Sequence, residues 1–454
     1  MSKILEALLF FSCISLLAAN RVYVHPFNLF AFDNATCQNI QSTQNEKMFA
    51  PPLIDLHNIS EAVGSTHKDS DGTKQTINQK TKALAVLQNE LGLRLYNALR
   101  KEKPGNTLFS PVNSFGTLVT FYLGASGKTA TNFQNFLGLV KETDTENCTS
   151  PFDGHKVLTT LQHINSLTDG STDELRTLVW TLVSSNVELS EDFARGTRDF
   201  SDHSYIGAVD FSKPTAAEAL VNAFIERTSS GNTKSLFHDI SSSSDLLFAS
   251  SLHFKGKWKA AFQPEKTTEQ EFQTPDKTSV SVPLMSRQGV YGFLNDKGNK
   301  CTIVKLPLSK KAFVLLVLPY EGTDLDHVES ILSGGLISLW HRHMSNRFLD
   351  LSLPKFSMTA VNDLKAILTD LKLPYLLGEN AAFGRLGRKP NFTVDKVLNK
   401  VVFEVSEEGS EEQNESQDHP AATELKINRP FFFAIIEGNS DAILLMGRIT
   451  NPLQ

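Results

Sequence analysis

Apolar residues recur at three- and four-residue steps from Ala83 onward, at Leu84, Leu87, Leu91, Leu95, Ala98 and Leu99. That spacing marks one face of an amphipathic helix, and Pro104 and Gly105 end it. A short strand over 107–109 then meets Ser110 and Pro111, an N-cap followed by proline in the first helical position. Phe115, Leu118, Val119 and Leu123 continue as a second helix that Gly124 stops. The pattern changes further on. Residues 175–189 and 246–254 are apolar with little polar interruption, as in strands covered on both faces. Stretches 313–318 and 349–353 read the same way, and 431–436 and 443–446 flank the turn Gly438, Asn439, Ser440, Asp441. Helices precede strands early and strands dominate late, which predicts an α+β fold with large, mainly antiparallel sheets. From Asn20 to about Lys82 no period holds, and 63–72 is polar and rich in breakers. This stretch is expected to be an irregular extension.

Composition narrows the class. The 454 residues are 40% hydrophobic and 21% charged, outside the disordered, collagen-like and multi-pass membrane ranges. With 44 Lys and Arg against 50 Asp and Glu the net charge is -6, which speaks against nucleic acid or an anionic membrane as partner. Residues 8–19, behind Lys3 and ending in Ala18 and Ala19, are too short to span a bilayer and read as a secretory signal cut after Ala19. Removing Cys13 with it leaves Cys37, Cys148 and Cys301 in a compartment where disulfides persist: one bridge and one free thiol. Sequons at Asn34, Asn58, Asn147, Asn391 and Asn414 agree with a secreted, extracellular glycoprotein.

Catalytic motifs are lacking. The stretch 124–129 (GASGKT) invites a phosphate-loop reading, but Tyr122 stands where that motif needs glycine, and a helix-ending turn accounts for it. His341 and His343 have no acidic or cysteine partner at metal-ligand spacing and read as solvated loop histidines. No nucleophile elbow, zinc helix or paired-cysteine motif occurs, so no enzyme activity, metal or cofactor is expected. Arg385, Arg388 and Lys389 carry a charge that suits a sulfated glycan, although three cations in a loop are more often simply solvated.

Against this background the order of segments resembles the serpin family from about residue 83 to 452. Residues 107–111 (TLFSP) and 123–129 (LGASGKT) look like its early strand-helix signature, and 253–258 (HFKGKW) like its central-sheet stretch. VPLM at 282–285 and LLVLP at 315–319 fit its middle strands. VVFEVSEEG at 401–409, NRPFFF at 428–433 and MGRITNP at 446–452 resemble its loop hinge and closing hairpin. The resemblance implies three β-sheets, about nine helices and an exposed loop over 409–425, making 83–454 one body. Inhibitory members insert that loop into the central sheet and have small residues after the hinge. Here Gly409, Ser410 and Glu411 keep the opening, but Glu412, Gln413, Asn414 and Glu415 follow, and burying an unpaired carboxylate costs several kcal/mol. The body is therefore expected to be a non-inhibitory scaffold.

A second, shorter resemblance bears on function. Asn20, Arg21, Val22, Tyr23, Val24, His25, Pro26, Phe27, Asn28 and Leu29 look like the hormone decapeptide at the head of one non-inhibitory member of that family. Asn20, Val24 and Asn28 depart from its commoner mammalian version. The resemblance implies cleavage between Leu29 and Phe30 by the aspartic peptidase renin, and trimming between Phe27 and Asn28 by a converting enzyme. A G-protein-coupled receptor would take the product. It also implies a Cys37–Cys148 bridge, both cysteines lying beside sequons, with Cys301 left free. The apolar run Phe27, Leu29, Phe30, Phe32 suits the elongated cleft of such a peptidase, and the bond is expected in an extended, accessible stretch. Two other classes remain open: a carrier of a steroid or thyroid hormone, told by bound ligand, and a hydrolase, told by turnover.

Overall fold

The computed structural model describes residues 25–32, 46–59, 74–145, 149–168, 175–308, 311–389, 391–411 and 421–454. Among them are ten α-helices and three main sheets in an α+β arrangement, two of the three running on as one nine-stranded path, with two further two-stranded pairings. The central sheet has five strands in the order Phe356–Asp363, Val394–Val405, Leu246–Lys255, Leu175–Ser184, His203–Val209. Its second and third members, Val394–Val405 and Leu246–Lys255, pair directly and in parallel from Leu246 to Lys255. Both are buried along most of their length, which is why each reads as a near-continuous apolar run. Beneath them Asn399 donates to Thr117 Oγ1 at 3.0 Å and to Ser250, which satisfies its buried amide nitrogen.

The other two sheets join through the 18-residue strand Ser279–Asp296, whose first part pairs with Thr268–Gln273 and whose last part pairs with Cys301–Pro307. The path continues through Ala312–Pro319, Phe431–Glu437 and Ile443–Ile449 to Thr107–Phe109. Phe356, Phe403, Phe431 and Phe433 meet between the sheets, with ring centroids 5.1–6.4 Å apart.

The expected strands and the helix Pro111–Gly124 stand where the pattern placed them, except that the run expected over 175–189 is a strand only over Leu175–Ser184, because a turn at Ser185–Asn186 ends it; Ser110 Oγ caps the helix by accepting from Asn113 N at 3.2 Å. Other expectations need correction. The first long helix is Lys74–Glu102, starting nine residues before Ala83, because 74–82 are polar residues on a solvated turn with few apolar marks to read. Among the described residues the body has nine α-helices, as the resemblance implies, and the tenth, Pro26–Phe30, lies in the N-terminal extension. His341 and His343 lie on the helix Gly334–His343, not in a loop.

The N-terminal extension is also more ordered than expected. Met48–Phe49 pairs antiparallel with Leu189–Ser190. Ile54 N donates to Ala208 O at 3.0 Å, and Ala208 N donates to Pro52 O at 2.8 Å. Residues 52–54 therefore cover the free edge of the central sheet at His203–Val209. Gly207 is what lets them approach: a Cβ there would lie 2.6 Å from Ile54 Cγ1.

Candidate functional site

Proline at a first helical position has no amide proton to lose and a φ already suited to helix. Pro26 starts the five-residue helix Pro26–Phe30 on that basis, and His25 Nδ1 accepts from Phe27 N at 3.3 Å as its cap. Phe27 and Phe30 are three residues apart and share one face. Their exposures are 2% and 0%, and the face packs on the helices Lys74–Glu102 and Gly154–Thr168. Asn28 points to solvent and Leu29 is half-buried.

The chain leaves this helix by pairing with the body. Phe30 O accepts from Asp153 N at 2.7 Å, Ala31 bridges to Phe152, and Lys156 Nζ reaches Ala31 O at 3.4 Å. Phe152 is stacked on Tyr122 with centroids 4.1 Å apart. The expectation of an extended, accessible Leu29–Phe30 bond is thus corrected: the bond lies in a helical turn with the side chain after it fully buried. The physical reason is the same apolar run that suggested a peptidase cleft, since two phenylalanines on one face bury themselves in the chain's own core.

Beside Phe32 opens a cleft of about 970 Å³, lined by Phe49, the Tyr122–Phe152 pair, His155 and Arg385 among others. His155 sits on its wall between Asp199, 2.7 Å from Nδ1, and Asp192, 2.9 Å from Nε2. Burial alone pushes the imidazole down, but the hydrogen bonds and charges of the two carboxylates outweigh it and raise its pKa to about 9. Arg385 pairs with Glu46 at 2.6 Å and stands 3.7 Å from Asp192. Arg388 faces Glu188 and Lys389 faces Asp245, so each cation suggested for a glycan has a carboxylate partner.

The loop hinge is held outside the central sheet. Gly409–Glu411 runs parallel to Trp258–Ala260, with Gly409 opposite Trp258. A Cβ on Gly409 would lie 2.3 Å from Ala261 N, so glycine is needed for this approach. Trp258 Nε1 donates to Ser406 O at 2.7 Å. Glu407 pairs with Lys355 at 2.8 Å and accepts from Thr267 Oγ1 at 3.1 Å.

The remaining expected residues divide. Asn20, Arg21, Val22, Tyr23, Val24, Asn34, Cys37, Asn147, Cys148, Glu412, Gln413 and Asn414 lie outside the described residues, as do the side chains of Ser410 and Glu411. Asn58 and Asn391 are exposed, as a glycan requires. Cys301 is free and fully buried, and burial with the Asp296 charge pushes its thiol up to about 12. Sequence reasoning missed the docked helix and the strap at 46–59. The first had a signal: proline followed by phenylalanines at positions 27 and 30.

The serpin (serine protease inhibitor) family model matches residues 86–452. The chain belongs to the serpin family. Angiotensinogen of Bos taurus is 31% identical, over 96% of this chain and 95% of that protein. Among solved structures, mouse protein-Z dependent protease inhibitor aligns at a TM-score of 0.74 with 25% identity, covering 84% of this serpin and all of that chain. Human thyroxine-binding globulin aligns at 0.71 with 27% identity, covering 82% and 99%.

Proposed function

We propose that this serpin is a secreted peptide-hormone precursor of the angiotensinogen kind. Renin cuts after Leu29 and releases Asn20 to Leu29 as angiotensin I. A converting enzyme removes Asn28 and Leu29 to leave the octapeptide Asn20 to Phe27, angiotensin II, which acts through a G-protein-coupled receptor in vasoconstriction, blood pressure and salt and water balance. The observation that carries the reading is similarity to angiotensinogen along nearly the whole of both chains, and the likeness of residues 20–29 to a hormone decapeptide supports it. The body is a non-inhibitory scaffold and not an enzyme. A Cys37–Cys148 bridge ties the hormone-bearing tail to it, and glycans occupy the exposed sequons.

The docked helix supports a specific mechanism. An aspartic peptidase takes an extended segment across its shared-proton carboxylate pair, whereas here the bond is helical with Phe27 and Phe30 buried. Cleavage therefore waits on local opening. Exposing two phenylalanines costs about 3–6 kcal/mol, which lowers the competent fraction by about 10²–10⁴. The body sets the rate of hormone release by holding the substrate shut. Incubating the purified protein with renin and weighing the products tests the assignment: the decapeptide mass is expected, and Leu29→Asp should abolish it. A dominant cut elsewhere would overturn the reading.

A further inference from the structure

His341, which carries no metal-ligand spacing in the sequence, is placed by the fold in a three-residue constellation away from the cleavage segment. Its Nε2 is 2.8 Å from the Lys305 amine, and its Nδ1 is 3.7 Å from Asp441 Oδ1. Three elements supply the groups: Lys305 from the strand Cys301–Pro307, His341 from the helix Gly334–His343, and Asp441 from the hairpin turn after Phe431–Glu437. Phe313 forms the wall. Its ring lies 4.6 Å from the His341 ring and 4.1 Å from Lys305 Nζ. Gly292 lies opposite Lys305, and a Cβ there would lie 3.2 Å from Lys305 Cβ, so the glycine leaves room for the lysine stem.

An ammonium can only donate, so the contact with Nε2 puts the imidazole proton on Nδ1, facing Asp441. A base is thereby held against a primary amine and oriented by a carboxylate, the order that activates nucleophiles elsewhere. The amine itself is half-buried; desolvation pushes its pKa down while the Asp441 charge works the other way. Asp441 and His341 remain partly open to solvent, so a small reagent can reach the group.

We propose that Lys305 is an aldehyde-reactive modification site, with His341 as its proton acceptor and donor and Asp441 as the orienting group. His341 Nε2 takes a proton from the Lys305 ammonium. The freed lone pair forms an N–C bond to the aldehyde carbon, and the C=O pair moves to oxygen. His341 returns its proton to that oxygen to give the carbinolamine; a second proton then passes from the nitrogen through His341 to the hydroxyl, which leaves as water, and the product is a protonated imine. Dehydration of the adduct is the step that needs an acid beside the nitrogen, and this geometry supplies one. With an open-chain reducing sugar, His341 next removes the C2 proton and a proton returns to C1. The resulting ketoamine is an isomer of the imine, so no oxidant is required.

The test is site-resolved labelling of the full chain with ¹³C-glucose at neutral pH, followed by peptide mapping. Lys305 should label about tenfold faster than the exposed Lys277 and Lys297, the scale of a modest general acid–base contribution. Its labelling should reach half its plateau at a lower pH than theirs. His341→Phe keeps a ring on Phe313 and removes Nε2, and should bring Lys305 down to the rate of those two lysines while leaving theirs unchanged. Labelling of wild-type Lys305 no faster than Lys277, or an unchanged rate in His341→Phe, would overturn the proposal. Should His341→Phe fold poorly, the wild-type rate ratio and pH profile decide it alone.

Discussion

Pro26–Phe30 and Gly409–Glu411 are both held against the body, but by different forces. The first docks through two side chains in the hydrophobic core, with one backbone bond from Asp153 N and one bridge to Phe152 at its exit. The second docks through backbone pairing with Trp258–Ala260 and through half-exposed ion pairs such as Glu407–Lys355. Apolar docking resists opening in proportion to the area it must expose, while surface ion pairs contribute little. The segment proposed for cleavage is thus the more firmly closed of the two. The hinge at Gly409–Glu411 is held by the weaker contacts, and polar residues follow it in sequence.

The largest effect should come from loosening the first region. Phe27→Ala removes a core side chain two residues before the Leu29–Phe30 bond and should speed renin cleavage of the intact protein by about tenfold to a hundredfold relative to the same change in a synthetic peptide covering residues 20–33. Steady-state kinetics on protein and peptide in parallel give that ratio. A ratio of one would mean that Phe27 does not hold the segment shut.

Next in size is the pH dependence of the cleft wall. The folded pKa of His155, about 9, lies above the ordinary value of 6.5. Its contribution is therefore complete below pH 6.5 and lost as pH rises toward 9, up to about 3 kcal/mol in all. Denaturant melts at pH 6.5 and pH 9.5 should show this loss, and His155→Gln should flatten the slope. An unchanged slope in the variant would assign the pH effect elsewhere.

Smaller effects belong to the hinge. Lys355→Ala breaks the pair with Glu407, yet the lysine is 45% exposed, so unfolding free energy should fall by no more than about 1 kcal/mol. A larger drop in chemical denaturation would show that the hinge is anchored more strongly than its geometry suggests. Loop cleavage should change least: no detergent-stable complex with a serine protease on a denaturing gel, and no large rise in melting temperature. Formation of such a complex, or a large rise in melting temperature, would show that the loop inserts despite Glu412, Gln413 and Glu415.

The strands were legible because a strand buried on both faces has no choice but to be apolar throughout, as 175–184 and 246–254 are. The helix Pro111–Gly124 announced itself through Ser110 and Pro111. The first turns of Lys74–Glu102 did not, since a helix that projects into solvent needs no apolar period there. The decapeptide was legible as a string of residue types, but its state was not. Phe27 and Phe30 read equally as a peptidase's handles and as core anchors, and only the partners Lys74–Glu102 and Gly154–Thr168, distant in sequence, decide between them. The strap over 46–59 was hidden for a similar reason: Met48–Phe49 and Ile54 are too short to carry a period, and what orders them is the sheet edge at Ala208.

The central claim is that the body guards a cleavable bond by burying the residues around it. The most direct measurement is kcat/KM for renin on the intact protein against a synthetic peptide spanning residues 20–33, at equal concentration and pH. The account predicts the same product, Asn20 to Leu29, from both, with the intact protein slower by at least about a hundredfold. Equal rates would contradict the guarding role, and a different product from the intact protein would contradict the precursor reading itself.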